Sequence, residues 1–194
     1  MNETPIEKQE EEVKFYFDHI IKGYLANDIK TLLNPSYELD KKERGGCAAP
    51  LAISIISGIE QLGLLTSQKE TPKIEKKENT ELRIKEFCND WMSKADKKYK
   101  KSTLQEIIVR FFRHGIAHQF MPIAYMAITI HPNHEHLIES YEKDGQKFYI
   151  LQVRILAKHF LESLDYLENK LNIAGENDPA FEWRMGMADG VGPR

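Results

Sequence analysis

The stretch from Pro50 to Leu65 does most to limit what this chain can fold into. It is apolar on nearly every side, interrupted only by Ser54, Ser57, Glu60 and Gln61. A helix of that kind has no face to leave in water, so other elements must pack around it. Ala52, Ser54, Ser57 and Gly58 line part of it and let a second helix come close. The run is too short to span a bilayer, which needs about 20 apolar residues. It predicts a buried central helix.

The other elements are read from period and punctuation. Thr4, Pro5 and Glu7 carry the signature of a helix start, a cap with a capping box. Val13, Phe17, Ile20, Tyr24 and Leu25 follow at helical spacing and leave Glu10-Glu11-Glu12 on the solvated face. Asn27-Asp28 reads as a stop and restart, and Pro35 closes the short helix after it. Residues 34–49 read as loop, with a bend at Gly45-Gly46. Thr80 predicts the cap of a helix whose Ile84, Phe87, Cys88 and Trp91 recur at i, i+3, i+4 and i+7. Ser102 and Gln105 read as a second capping box, opening a helix through Leu104, Ile108, Phe111 and Phe112 that Pro122 ends or kinks.

The period then changes. Ile123 to Ile130 is apolar and β-prone, Pro132-Asn133 is a turn signal, and Leu137 to Tyr141 is short and alternating. Asp144-Gly145 predicts a tight turn before Phe148-Tyr149-Ile150-Leu151. A last helix runs from about Arg154 to Leu171, burying Leu156, Phe160, Leu164 and Leu167. These elements predict an all-α fold, a bundle of five to six helices with a small inserted β-hairpin. The expected domain is single, over 1–175, with a mobile charged loop at about 67–80 and a flexible tail at 176–194.

Composition narrows the function classes. The 41% hydrophobic content suffices for a sizeable core. A net charge of −3 argues against a nucleic-acid coat protein but leaves RNA open as a substrate. Cys47 and Cys88 form no spaced framework and point to reduced thiols in a cytoplasm. The polar, acidic start reads as no signal peptide, so the expected setting is cytoplasmic, away from membranes. Five lysines surround Tyr99 between Lys94 and Lys101. They read either as a solvated turn or as a patch that attracts phosphate.

One segment is chemically pointed: Arg113-His114-Gly115-Ile116-Ala117-His118. A free imidazole titrates near pH 6.5, so it can take a proton from a 2′-hydroxyl or return one. A guanidinium offers a fixed fork of donors to charge developing on a phosphate. No metal or other cofactor is needed for that chemistry. The spacing alone is weak, because seven Arg and seven His produce such a pair about 0.8 times by chance. Arg154 and His159 match it too. What separates the first pair is its cluster: Arg110, His114 and His118 share one helical face. Arg113 stands about 140° from His118 by the helical period, which favours a site completed by a second copy.

Phe112 to Pro122, with Arg113, His114 and His118 inside it, resembles the motif region of HEPN domains, small helical bundles marked by Arg, a polar residue, a few more residues and then His. The order of elements that follows is also similar. The resemblance is most specific over 102–122, weaker over 123–171, and only architectural before that. It implies a homodimeric, metal-independent endoribonuclease acting on single-stranded or loop RNA, of the kind found in toxin–antitoxin and anti-phage systems. An antitoxin or regulatory protein is then an expected partner. Carried over, Arg113 binds and stabilises the phosphate, His118 is the general acid and base, and His114 and Arg110 support them. His114 stands where the family most often has Asn or another small polar residue. The alternative is a non-catalytic dimerisation or partner-binding module of the same type.

Two other candidates carry less. His131, His134, Glu135 and His136 could hold zinc, or be exposed loop residues. Cys47, ahead of a helix start, could be an activated thiolate, or an incidental thiol.

Overall fold

The computed structural model describes residues 11, 14–34, 47–66, 77–110, 125–131 and 133–173. Helices dominate the described residues, and a three-stranded sheet is set among them. The Thr4-Pro5-Glu7 cap, Val13, the Gly45-Gly46 bend, the charged loop up to residue 76, Pro122 and the tail at 176–194 lie outside the described residues.

The first described helix, α1 (Tyr16–Ala26), is wound with π-type hydrogen bonds and runs without a break into α2 (Asn27–Leu32). The Asn27 signal therefore does not act as a stop. Its backbone is helical, and its side-chain amide donates to the Gly23 carbonyl one turn back, a local bond that keeps the polar group satisfied inside the helix. The wider winding also moves the buried stripe. Phe17, Ile21 and Ala26 are inside, whereas Ile20 and Tyr24, both assigned to the stripe by a 3.6 period, are exposed.

The apolar helix α3 (Ala48–Thr66) is longer than its sequence run and, by length and composition, is long and apolar enough to cross a membrane. Leu51, Ala52, Ile55, Ile56, Ile59 and Leu62 are all buried within the protein. Helix α4 (Lys77–Phe87) begins three residues before Thr80. It continues through a π-type turn, Cys88–Met92, into Ser93–Ala95. Ile84, Phe87, Cys88 and Trp91 are buried as their spacing predicts. A short 3-10 helix, Lys97–Lys100, leads to α5 (Ser102–Val109). Ser102 and Gln105 make no capping box. The cap position is Lys101, and Gln105 instead sends its side-chain amide back to the Tyr99 carbonyl, 2.7 Å away.

Strands β1 (Met126–Thr129), β2 (Ile138–Lys143) and β3 (Gln146–Gln152) form one mixed sheet in the order β1-β3-β2. β2 and β3 pair antiparallel through Asp144-Gly145, both at positive φ (54° and 72°). That geometry suits a two-residue turn whose twist matches the strands. β1, part of the β-prone run that ends at Ile130, adds parallel to β3 and makes a third strand beyond the expected hairpin. Helix α6 (Val153–Ile173) follows directly and buries Leu156, Phe160, Leu164 and Leu167.

Parallel pairing sends the chain from β1 across the end of β3 to reach β2, and Gln152 fastens that crossing. Its side-chain amide donates to the carbonyls of His131 (2.6 Å) and His134 (3.1 Å). Its side-chain oxygen accepts from the Arg154 amide (3.1 Å), and its backbone amide donates to the Leu137 carbonyl (2.9 Å). Only 2% of Gln152 is exposed, so water cannot replace these bonds. Gln152→Ala is expected to cost about 2–3 kcal/mol in urea unfolding, with faster amide exchange over 133–137. A loss below about 0.5 kcal/mol, the ordinary range for a surface change, would contradict this role.

Candidate functional site

Helix α5 delivers the chain to the segment that carries the Arg–His motif. Leu104, Ile108 and Val109 anchor α5 in the core. Arg110 caps it, helical in backbone and exposed, with its amide donating to the carbonyls of Glu106 and Ile107. Arg113, His114 and His118 lie outside the described residues. The chain is described again from Tyr125, at the head of β1.

The second Arg–His pair has a different use. His159 Nδ1 lies 3.2 Å from the Tyr99 hydroxyl, and the two rings meet edge-on at 5.6 Å. Tyr99 is fully buried, and a buried phenol needs a polar partner. His159 supplies it. Arg154 is at the start of α6, where its backbone amide donates to the Gln152 side-chain oxygen. Burial pushes the Tyr99 phenol well above its usual range, and the Cys88 thiol next to it up to about 12. Cys88 is therefore a protonated core residue, not a nucleophile.

Burial also lowers the His159 pKa, against the pull of the Asp96 and Glu162 carboxylates. A depressed folded-state value means that the unfolded chain binds more protons, so stability rises with pH through the interval. The stabilisation is complete above the unfolded value of about 6.5 and is lost as pH falls through the folded value. Melting temperature should therefore drop on acidification below about pH 6.5, and the drop should flatten in His159→Gln, whose carboxamide can still meet Tyr99. An identical slope in the variant would place the effect elsewhere.

The lysine run is neither wholly a solvated turn nor a uniform patch. Asp96 caps the 3-10 helix, accepting from the Lys98 amide at 2.9 Å, and turns Tyr99 inward. Lys94 extends over the Trp91 ring at 4.9 Å. Lys98 and Lys101 line a cavity of about 370 Å³ with Thr103, Leu104 and Ile107 of α5, and with His136, Leu137 and Ile138 from the far side of the crossing. Its floor is aliphatic and its charged lining is cationic, the combination that suits an anion with an apolar body. Asp96 comes within 4.0 Å of Lys98 and partly offsets that charge.

The three histidines at 131–136 do not converge. His131 Nδ1 accepts from the Asn133 amide (3.3 Å). His134 Nδ1 is 2.7 Å from Glu139 Oε2, and this hydrogen bond holds the Glu139 carboxyl below its ordinary range. His136 faces the cavity. Among the described residues no group of three or more His, Cys, Asp or Glu side chains is placed to hold a metal ion. Cys47 is a free, half-buried thiol preceding α3, and its carbonyl accepts from the Leu51 amide.

The cavity and the Gln152 crossing have no short-range signal, since each joins residues far apart in sequence. The Tyr99–His159 contact left a trace: a lone tyrosine inside a lysine run is a candidate for burial. No family model, curated protein or solved structure matches the chain.

Proposed function

We propose that this chain is a metal-independent endoribonuclease of HEPN type, acting on single-stranded or loop RNA as a homodimer. The observation that carries the reading is the Arg113 to His118 segment, with its arginine, its titratable histidine and its neighbours Arg110 and His114. In this reading the helices form the family's bundle, and the β2–β3 pair is its inserted hairpin. Two features support it. The histidine of the competing pair, His159, is accounted for by packing, because it serves Tyr99. The cationic lining of the cavity beside α5, Lys98 and Lys101, offers charge to an RNA backbone approaching the segment that follows that helix.

In the proposed reaction His118 takes the 2′-hydroxyl proton. The freed oxygen attacks the adjacent phosphorus, and the bond to the 5′-oxygen breaks as that oxygen regains a proton. Arg113 stabilises the charge on the phosphate. The proposed setting is the cytoplasm, as a toxin or anti-phage effector restrained by a regulatory protein. The test is RNA cleavage by the purified chain in EDTA, with its mass in solution measured alongside. Loss of cleavage in both Arg113→Ala and His118→Ala supports the reading. Equal cleavage by all three proteins, or a strictly monomeric active species, overturns it.

A further inference from the structure

Three aromatic rings form a file across the outer face of the sheet. Tyr141 on β2 and Phe148 on β3 are directly opposite in register. Their rings are stacked, with centroids 5.1 Å apart and planes 10° from parallel. The Tyr125 ring, at the head of β1, meets the other side of Phe148 edge-on at 5.4 Å. Alternation along the strands sends Met126, Ile128, Ile138, Tyr149 and Leu151 to the core, which leaves the file outside. Tyr125 and Tyr141 are 46% and 49% exposed, too open for core packing to explain their placement. Tyr125 also holds φ at 73°, a strained value for a bulky residue. Its carbonyl accepts from the Tyr149 amide at 2.9 Å, which fixes the strained residue against β3. Strain of this kind persists where a side chain is held for a purpose.

We propose that this file is a stacking platform for the bases of single-stranded RNA. Phe148 covers one face of the Tyr141 ring. Since β2 is the edge of the sheet, the opposite face opens sideways, and a base can extend the stack there. Such stacking accepts any base, because every base has a π-face. Lys143 is on the same outer face, about 6.8 Å further along the strand, where its ammonium can meet the phosphate of the stacked nucleotide. The carboxylate on the other side of Tyr141, Glu139, is already paired with His134. A stable protein interface needs about 800 Å² from each partner, and a file of three rings bordered by Lys143 and Gln146 is much smaller. That the nucleic acid is RNA rests on the proposed nuclease function; that bases stack here rests on the rings.

The test is fluorescence anisotropy of a labelled oligoadenylate of about 10 nucleotides, within the site sizes of single-strand binders. The full chain carries His118→Ala so that the probe survives. Adding Tyr141→Ala should weaken binding by about tenfold or more, while Tyr141→Phe keeps it. Loss of the Phe148 stack should lower the melting temperature of Tyr141→Ala by no more than about 4 °C, leaving the chain folded in the assay. Equal binding with and without the Tyr141 ring overturns the platform, as does a parent chain that does not bind the probe. Equal affinity for a duplex of the same length overturns it too. If Tyr141→Ala instead abolishes self-association and spares the probe, the file is a protein surface and the proposal fails. Binding that depends on Tyr141 in a chain whose wild type never cleaves leaves the platform standing and removes the nuclease. Cleavage that ignores Tyr141 does the reverse.

Discussion

Replacing His118 with alanine is expected to lower RNA cleavage in EDTA by about 10²- to 10⁴-fold, the usual contribution of a positioned general acid or base. Replacing His159 is expected to leave cleavage unchanged and to lower stability instead. The contrast is informative because the two histidines share the same local pattern, an arginine five residues upstream. Their environments separate them. His159 is engaged by a fully buried phenol, and burial disfavours its charged form. Removing it leaves the Tyr99 hydroxyl without a partner, a cost of about 1–3 kcal/mol. A general base needs a free nitrogen facing substrate, whereas His159 is half-buried with its Nδ1 engaged by the Tyr99 hydroxyl. The measurement is initial cleavage rate beside urea unfolding for both single variants. A His118→Ala chain that cleaves as wild type, or a His159→Ala chain that loses cleavage while remaining folded, would reverse the assignment.

What was legible in the residues follows the range of the interactions. The buried stripe of α6 and that of α4 depend on local period alone, and the observed burial of Leu156, Phe160, Leu164 and Leu167 follows it. The Asp144-Gly145 turn is equally local, since two residues set its backbone. A 3.6 period misplaces the α1 stripe, because the winding there is π-type, which that period cannot anticipate. Pattern alone assigns the Gln105 side chain to a cap, but the Tyr99 carbonyl, six residues back, accepts from it instead. The β-prone character of the run that holds β1 is legible, but its pairing is not, because its partner lies beyond an intervening strand and turn and parallel pairing leaves no hairpin signal. The cavity is still less local, joining α5 to the residues after the crossing. As for the proposed active site, residue chemistry and a family resemblance single out Arg113 and His118, and spacing alone does not.

The second large effect is in the core, at the place where α6 meets α3 and α4. Phe160 is fully buried, with its ring 6.3 Å from that of Phe87 on α4. It also lies against Gly58, the small residue that lets α3 approach. A β-carbon at position 58 would fall 2.6 Å from the tip of the Phe160 ring and 2.8 Å from a Leu25 methyl. Phe160→Ala therefore removes the group that fills this junction and leaves a cavity between three helices. The expected loss is about 3–5 kcal/mol, or a fall in melting temperature of about 6–20 °C for a chain of this size. Gly58→Ala alone should also destabilise, by about 1–3 kcal/mol, because the added methyl overpacks the same point. In the double variant that methyl enters space the ring has vacated. Only the Leu25 conflict remains, so the two losses should fall short of additive by about 1 kcal/mol or more. Strict additivity, or a Phe160→Ala loss below about 1 kcal/mol, would mean that α3 and α6 do not meet through this glycine and this ring.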